Sequence, residues 1–399
     1  MYRVIAVGLV VISLVGVAAP PAAASTAADQ LDALLKEGKT REAYRQIAKA
    51  VQADPSLMES YGFLMAAGRV ARTYSREDPP GNAGESYRVR LKAEAVECFG
   101  MAERLVEPGE EQTAASTAWR QAADELVLGA STAFNAKRFD LALDYSRAIT
   151  RVSPEDRLGP ALTIRIGQMV DRPELQLEGV RAAVAARFPI QDYYVLAASL
   201  EVSVENGAGL DAALAHVATG LEVVPNDLQL LAERVRLMLL ADRAADATAA
   251  LATFRNQTFA QLDEPADRVP YRVFLGLYSE TLGQTEAARG DYEAVVKHDP
   301  GHHQARFGLG KLLVDEAAAV RRKGLDLPFD AVEESRALDE QADTLLRKAR
   351  GHFEAIHDPQ DPRSDVMVTL ITIYGQLDDF DAVRDMQAQY DKYMYGPRK

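Results

Sequence analysis

Apolar residues recur along this chain in helix-length stretches closed by prolines, and the closures keep a common register. "EGKTREAYRQIAKAVQADP" ends at Pro55, "AKRFDLALDYSRAITRVSP" at Pro154, "GAGLDAALAHVATGLEVVP" at Pro225 and "GQTEAARGDYEAVVKHDP" at Pro300. Each carries an alanine twelve residues before its proline (Ala43, Ala142, Ala213, Ala288) and a small or apolar residue five before it (Ala50, Ile149, Gly220, Val295). A small residue early in a helix lets an antiparallel neighbour pack closely, and a proline beyond the end stops the helix and opens the next turn. Helix–turn–helix units of this kind cannot bury their apolar faces alone and must stack. The pattern predicts an all-α chain of consecutive helical pairs.

These residues resemble the tetratricopeptide repeat (TPR) family, whose unit is a helix pair of about 34 residues. The fullest match is 269–302, where "VFLGLYSETLGQTEAARGDYEAVVKHDP" supplies Leu275, Gly276, Ala288, Tyr292, Val295 and Pro300. Gly38, Ala43, Ala50 and Pro55 match in the first unit, and Phe139, Ala142, Ile149 and Pro154 in the one ending at Pro154. The resemblance implies a right-handed α-solenoid of about nine units: 27–55, 56–108, 109–154, 155–189, 190–225, 226–262, 263–300, 301–362 and 363–396. Units 27–55, 109–154, 190–225 and 263–300 carry the pattern most fully. Two units are long. In 56–108 the loop sequence "SREDPPGNAGES" separates the helices. In 301–362 one helix extends through "LLVDEAAAVRRKG", "LDLPFD" turns, and "AVEESRALDEQADTLLRKARGHFEAI" returns as a second long helix.

The resemblance also implies a concave groove lined by the first helix of each unit. Its positions fall on Val195, Ala198 and Val202, then Gln229, Ala232 and Arg236, then Val273, Leu277 and Glu280. This lining is mixed to apolar and lacks the lysine and asparagine pairs by which some members clamp a peptide carboxylate. The expected occupant is therefore an extended or amphipathic protein segment.

The first residues change the picture. "MYRVIAVGLVVISLVGVAAPPAAAS" has Arg3, an uncharged apolar run from Val4 to Ala19, a Pro20-Pro21 break and small residues at Ala22–Ala24. This is the layout of a secretory signal peptide, 1–24, cleaved after Ala24. The apolar run is shorter than the roughly 20 residues of a membrane span, and an uncleaved anchor is the alternative. The expectation is an exported protein, periplasmic or extracellular, with no membrane span once the signal is removed. Lys and Arg total 45 against 59 Asp and Glu, a net charge of −14. That field repels a phosphate backbone and an anionic membrane surface, which excludes nucleic acid as the expected partner.

Catalytic and metal signatures are missing. Cys98 is the single cysteine, so neither an intramolecular disulfide nor a cysteine-based zinc site is available. No His-Glu-x-x-His or Gly-x-Ser-x-Gly occurs. "FGLGKLL" at 307–313 has Leu312 where a phosphate loop needs Ser or Thr, and Leu309 and Gly310 fall on close-packing positions. Three histidines, His298, His302 and His303, lie close together, and His357 opens a second His-Asp-Pro. A Pro-Gly turn separates His298 from His302, so they lose the one-face geometry of a helical ligand pair and read as repeat punctuation. Trp119 is expected in core packing, and Tyr390, Tyr393 and Tyr395 as a half-polar cap. The functional expectation is a non-enzymatic interaction scaffold or adaptor in the cell envelope, without cofactor. The alternative is an accessory subunit of an envelope enzyme or a secretion or polymer-export machine. A ligand-binding or enzymatic solenoid is a third class, which would need histidines and carboxylates converging near 301–362.

Overall fold

In a computed structural model of the chain, the described residues are 21–77, 84–204, 209–328, 330–360 and 363–396. Most of the expected signal segment and much of the 77–83 loop therefore lie outside the described residues. Ala24, the expected cleavage point, sits in the first turn of the first described helix. The chain divides into two compact units, Met1–Thr219 and Gly220–Lys399.

The first unit holds α1 (Pro21–Lys36), α2 (Thr40–Ala53), α3 (Tyr61–Arg76), α4 (Gly84–Arg104), α5 (Glu110–Asn135), α6 (Phe139–Val152), α7 (Leu158–Met169), α8 (Pro173–Ala185) and α9 (Gln191–Val204). The division falls within α10 (Leu210–Val223). The second unit continues with α11 (Leu228–Leu240), α12 (Ala244–Gln261), α13 (Pro265–Thr281), α14 (Thr285–His298), α15 (His303–Leu325), α16 (Val332–Glu354), α17 (Ser364–Gln376) and α18 (Phe380–Tyr395). No strand occurs among the described residues. Within each unit, helices pack on their neighbours in the chain and on helices two further on, such as α1 on α3 and α13 on α15. That is hairpin stacked on hairpin, an all-α solenoid arrangement. The long pair expected in 301–362 is present as α15 and α16.

Local chemistry explains the hairpins. Six of them turn through three residues whose middle member is left-handed: Gly38, Lys137, Asp171, Asp242, Gly283 and Asp378, all with φ between 52° and 71°. At each, the next N–H reaches back five positions, as Lys39 does to the Leu34 carbonyl at 2.8 Å and Gln284 to Ser279 at 2.8 Å. This is the Schellman C-cap, which satisfies carbonyls the helix end would leave orphaned. The prolines act between hairpins: Pro55, Pro154 and Pro300 follow Asp54, Ser153 and Asp299, three helix-ending residues that have left helical geometry.

The alanines expected to permit close packing do so. Ala43, Ala142, Ala213 and Ala288 are all at 0% exposure. A second device uses glycine against an aromatic ring. A Cβ at Gly68 would come within 2.5 Å of the Phe99 ring, at Gly129 within 2.4 Å of Tyr145, at Gly276 within 2.5 Å of Tyr292 and at Gly310 within 2.5 Å of Phe353. Each glycine lies on the first helix of its hairpin and each ring on the second, so the helices touch where the side chain is missing. Buried ions tie further helices together. Glu201 on α9, 1% exposed, accepts from Arg181 of α8 at 2.6 and 2.8 Å and lies 2.9 Å from His216 Nε2 of α10. Asp291 on α14 similarly faces Arg255 of α12 at 2.7 Å and Arg272 of α13 at 3.2 Å.

Candidate interaction face on the first helices

The helical repeat places Gln229, Ala232 and Arg236 on one side of α11, and Val273, Leu277 and Glu280 on one side of α13. Contacts then join α11, α13 and α15 into one strip within the second unit. Arg236 grips Glu233 through a bidentate pair, with Nε at 2.7 Å from Oε2. Both groups act on Tyr278 of α13: burial first, then the Glu233 carboxylate, pushes this phenol up to about 12. Further along, Glu280 accepts from the Tyr292 hydroxyl at 3.0 Å and from Lys311 Nζ of α15 at 2.6 Å. The hydrogen bond to Glu280 raises the lysine above its ordinary value, so it stays charged at neutral pH.

Between these ion pairs lies apolar surface. Leu277 is 37% exposed and Phe274 is 42% exposed, the latter stacked on Tyr278 with ring centroids 6.1 Å apart. Leu240, at the end of α11, is 53% exposed. The strip is a row of exposed hydrocarbon bordered by charges that are fixed by partners on their own or adjacent helices.

Not every position expected to line a groove reaches the surface. Gln229 and Leu277 are exposed, and Arg236, Glu280, Val195 and Val202 are half-buried. Ala198 at 0%, Ala232 at 7% and Val273 at 6% are buried in the packing between helices and present nothing to a partner. Small and β-branched residues near the helix–helix seam are drawn inward because neighbouring helices approach closely there. The sequence expectation omits Glu233, Leu240, Phe274, Tyr278 and Lys311. The signal for Glu233 is its three-residue spacing to Arg236, which pairs opposite charges along a helix. Lys311 stands in "FGLGK", a stretch whose interest is its outward face.

In the first unit, ion pairs also cross between first helices. Arg69 of α3 holds Asp32 of α1 at 2.6 Å, and Arg72 and Arg76 share Glu125 of α5. Burial pushes the Glu125 carboxyl up, but hydrogen bonds from the two arginines prevail and hold it below its ordinary value.

The other singled-out residues find structural places. Cys98 on α4 is half-buried, and burial, followed by the Glu94 and Glu97 carboxylates, pushes its thiol up to about 12. It is not a thiolate nucleophile at neutral pH. His302 Nδ1 lies 3.4 Å from the Ala305 N–H and caps α15, while His357 Nε2 lies 3.1 Å from Gln389 Oε1. Among the described residues, no group of three or more His, Cys, Asp or Glu side chains is arranged to hold a metal ion. Trp119 is half-buried, its ring against Gly100 of α4. Tyr390 packs on the α17–α18 core, whereas Tyr393 and Tyr395 are 49% and 74% exposed. No described helix is long and apolar enough to cross a membrane.

No protein-family model matches the sequence, and no curated protein matches it. Among solved structures, a thermophilic TPR protein of Thermus thermophilus is 19% identical over 46% of this chain and 95% of its own, with a TM-score of 0.31. YrrB, described as a TPR protein with an unusual peptide-binding site, is 15% identical over 55% of this chain and 93% of its own, at 0.34. A monomeric mutant of IFIT1 with m7Gppp-AAAA is 10% identical over 86% of this chain and 70% of its own, at 0.41. None of these superpositions is close enough to carry a site or a ligand across. The chain's own stacked hairpins, Schellman turns and glycine–aromatic contacts are what give it a tetratricopeptide-like fold.

Proposed function

We propose that this protein is a non-enzymatic scaffold or adaptor that holds an extended or amphipathic protein segment on the α11–α13–α15 strip. One observation carries the reading: Leu277 and Phe274 are exposed between fixed ion pairs, Glu233–Arg236 on one side and Glu280–Lys311 on the other. Apolar centres with polar borders are the usual anatomy of a protein-binding surface. The sequence of residues 1–24 supports placing the scaffold outside the cytoplasm, in the cell envelope or beyond it.

The test is site-specific photo-crosslinking in cells of the source organism. A photoreactive residue at position 277 is expected to capture one protein in stoichiometric amount, while one at Leu128, exposed on α5, captures none. Leu277→Asp is expected to lower capture by about tenfold from a neighbouring probe at position 274, without lowering the melting temperature. Absence of any enriched protein at native expression would sink the scaffold reading. If the captured protein is an enzyme in stable complex, the chain is its accessory subunit.

A further inference from the structure

Four of the six histidines sit at helix ends: His302 and His303 at the start of α15, His352 and His357 at or just beyond the end of α16. His303 stacks on Phe307 with centroids 6.4 Å apart, and Phe307 packs edge-on against Phe353 of α16 at 5.4 Å. The imidazole thus abuts the packing inside the α15–α16 hairpin. Its Nδ1 lies 3.3 Å from Nη1 of Arg363, just before α17. Guanidinium only donates, so Nδ1 accepts and the ring is neutral, with its proton on Nε2. Among the described residues that buried Nε2 has no hydrogen-bond partner, and the same holds for His352 Nδ1 on α16.

The charges facing these rings come from α14, α15 and the start of α17. His303 faces Arg363, Asp365 of α17 and the adjacent His302. His352 faces Arg306 of α15 and Glu293 of α14. Asp365 is itself engaged by Arg363 at 3.4 Å. Nearby, Glu354 accepts from the Tyr374 hydroxyl at 3.0 Å, and Arg350 lies 3.8 Å from Asp379, the cap of α18. A proton added to His303 would destroy its acceptor and set an imidazolium against Arg363. One added to His352 would set a cation near Arg306.

We propose that the His303–Arg363 contact makes the docking of the α17–α18 hairpin acid-labile, so that protonation of His303 loosens it from α15–α16. Loosening would uncover Val366, Met367, Leu370 and Ile373, now buried against the α15–α16 core. Burial, reinforced by Arg363 at His303 and by Arg306 at His352, lowers both imidazoles below their ordinary value. The native state therefore prefers the neutral rings. Their contribution is complete above about pH 6.5 and is lost as pH falls from there toward the lowered native values.

Hydrogen exchange of the full chain at about pH 7.5 and about pH 5, corrected for intrinsic exchange, tests this. Amides of α17 and α18 are expected to lose protection by about tenfold more at the lower pH than helices of the first unit lose. The variant His303→Gln, which keeps an acceptor for Arg363 but cannot titrate there, is expected to abolish that difference. Should the variant not fold, histidine NMR titration of the wild type decides instead, with His303 expected below the ordinary imidazole value. Unchanged protection in α17–α18, an equal loss in the first unit, a persisting loss in the folded variant, or His303 titrating at or above the ordinary value would overturn the proposal.

Discussion

Tyr292 shows how one side chain links the interior to the candidate surface. Its ring is wedged between Gly276 on α13 and Gly308 on α15, where added Cβ atoms would come within 2.5 and 2.4 Å of it, and its hydroxyl holds Glu280. Because glycine flanks the ring on both sides, it cannot yield toward either helix. Gly276→Ala is therefore expected to destabilise the protein by about 1–3 kcal/mol, as overpacking of a close contact does. Gly290, exposed inside α14 with no atom of the described residues within 4 Å of its Cβ position, is the control. Gly290→Ala is expected to stabilise by about 0.5–1 kcal/mol, since alanine loses less backbone freedom in a helix. Urea denaturation of the two variants gives opposite signs if close approach, rather than helix propensity, governs Gly276. The sixteen-residue separation of Gly276 and Tyr292 recurs between Gly129 and Tyr145, so this contact was available to a reader of the sequence. Which histidine nitrogens lack partners was not, because that depends on residues about fifty to sixty positions apart.

At the scale of the element, helix ends determine where side chains face. Asp227 caps α11, its Oδ1 accepting the Leu230 N–H at 2.9 Å, and so sets the start of the helix that carries Gln229 and Arg236. Asp227→Ala is expected to cost about 1 kcal/mol, with Asp227→Asn nearly neutral, measured by chemical denaturation. Helix existence followed from the hydrophobic pattern, and proline positions marked the breaks between hairpins. The turns inside the hairpins were less evident. Only two of the six left-handed positions are glycine, and the other four are Lys or Asp residues, whose conformation is imposed by the reach-back hydrogen bonds. Sequence alone therefore located four strong units but left the groove positions on their first helices open to a shift of one residue. That single step decides whether position 273 or position 274 meets solvent, and here Val273 turns inward while Phe274 turns out.

For the whole molecule, contacts run mainly between sequential and next-but-one helices, so stability should be local to a stretch of hairpins. Phe353, 1% exposed and seated against Gly310, is a suitable probe. Phe353→Ala is expected to cost about 3–5 kcal/mol, and to lower hydrogen-exchange protection across α15 to α18 while helices α1 to α6 keep theirs. A uniform loss across both units would show that the chain unfolds as one body instead. By itself the sequence determined helix content, the hairpin repeat, the small residues that let helices touch and the negative charge, because each depends on local pattern or simple composition. Tertiary structure alone decided which of the expected groove residues are reachable, that Lys311 meets Glu280, and that His303 meets Arg363. Those pairings join residues on different hairpins, and a shift of one position along a helix turns a side chain by about 100°.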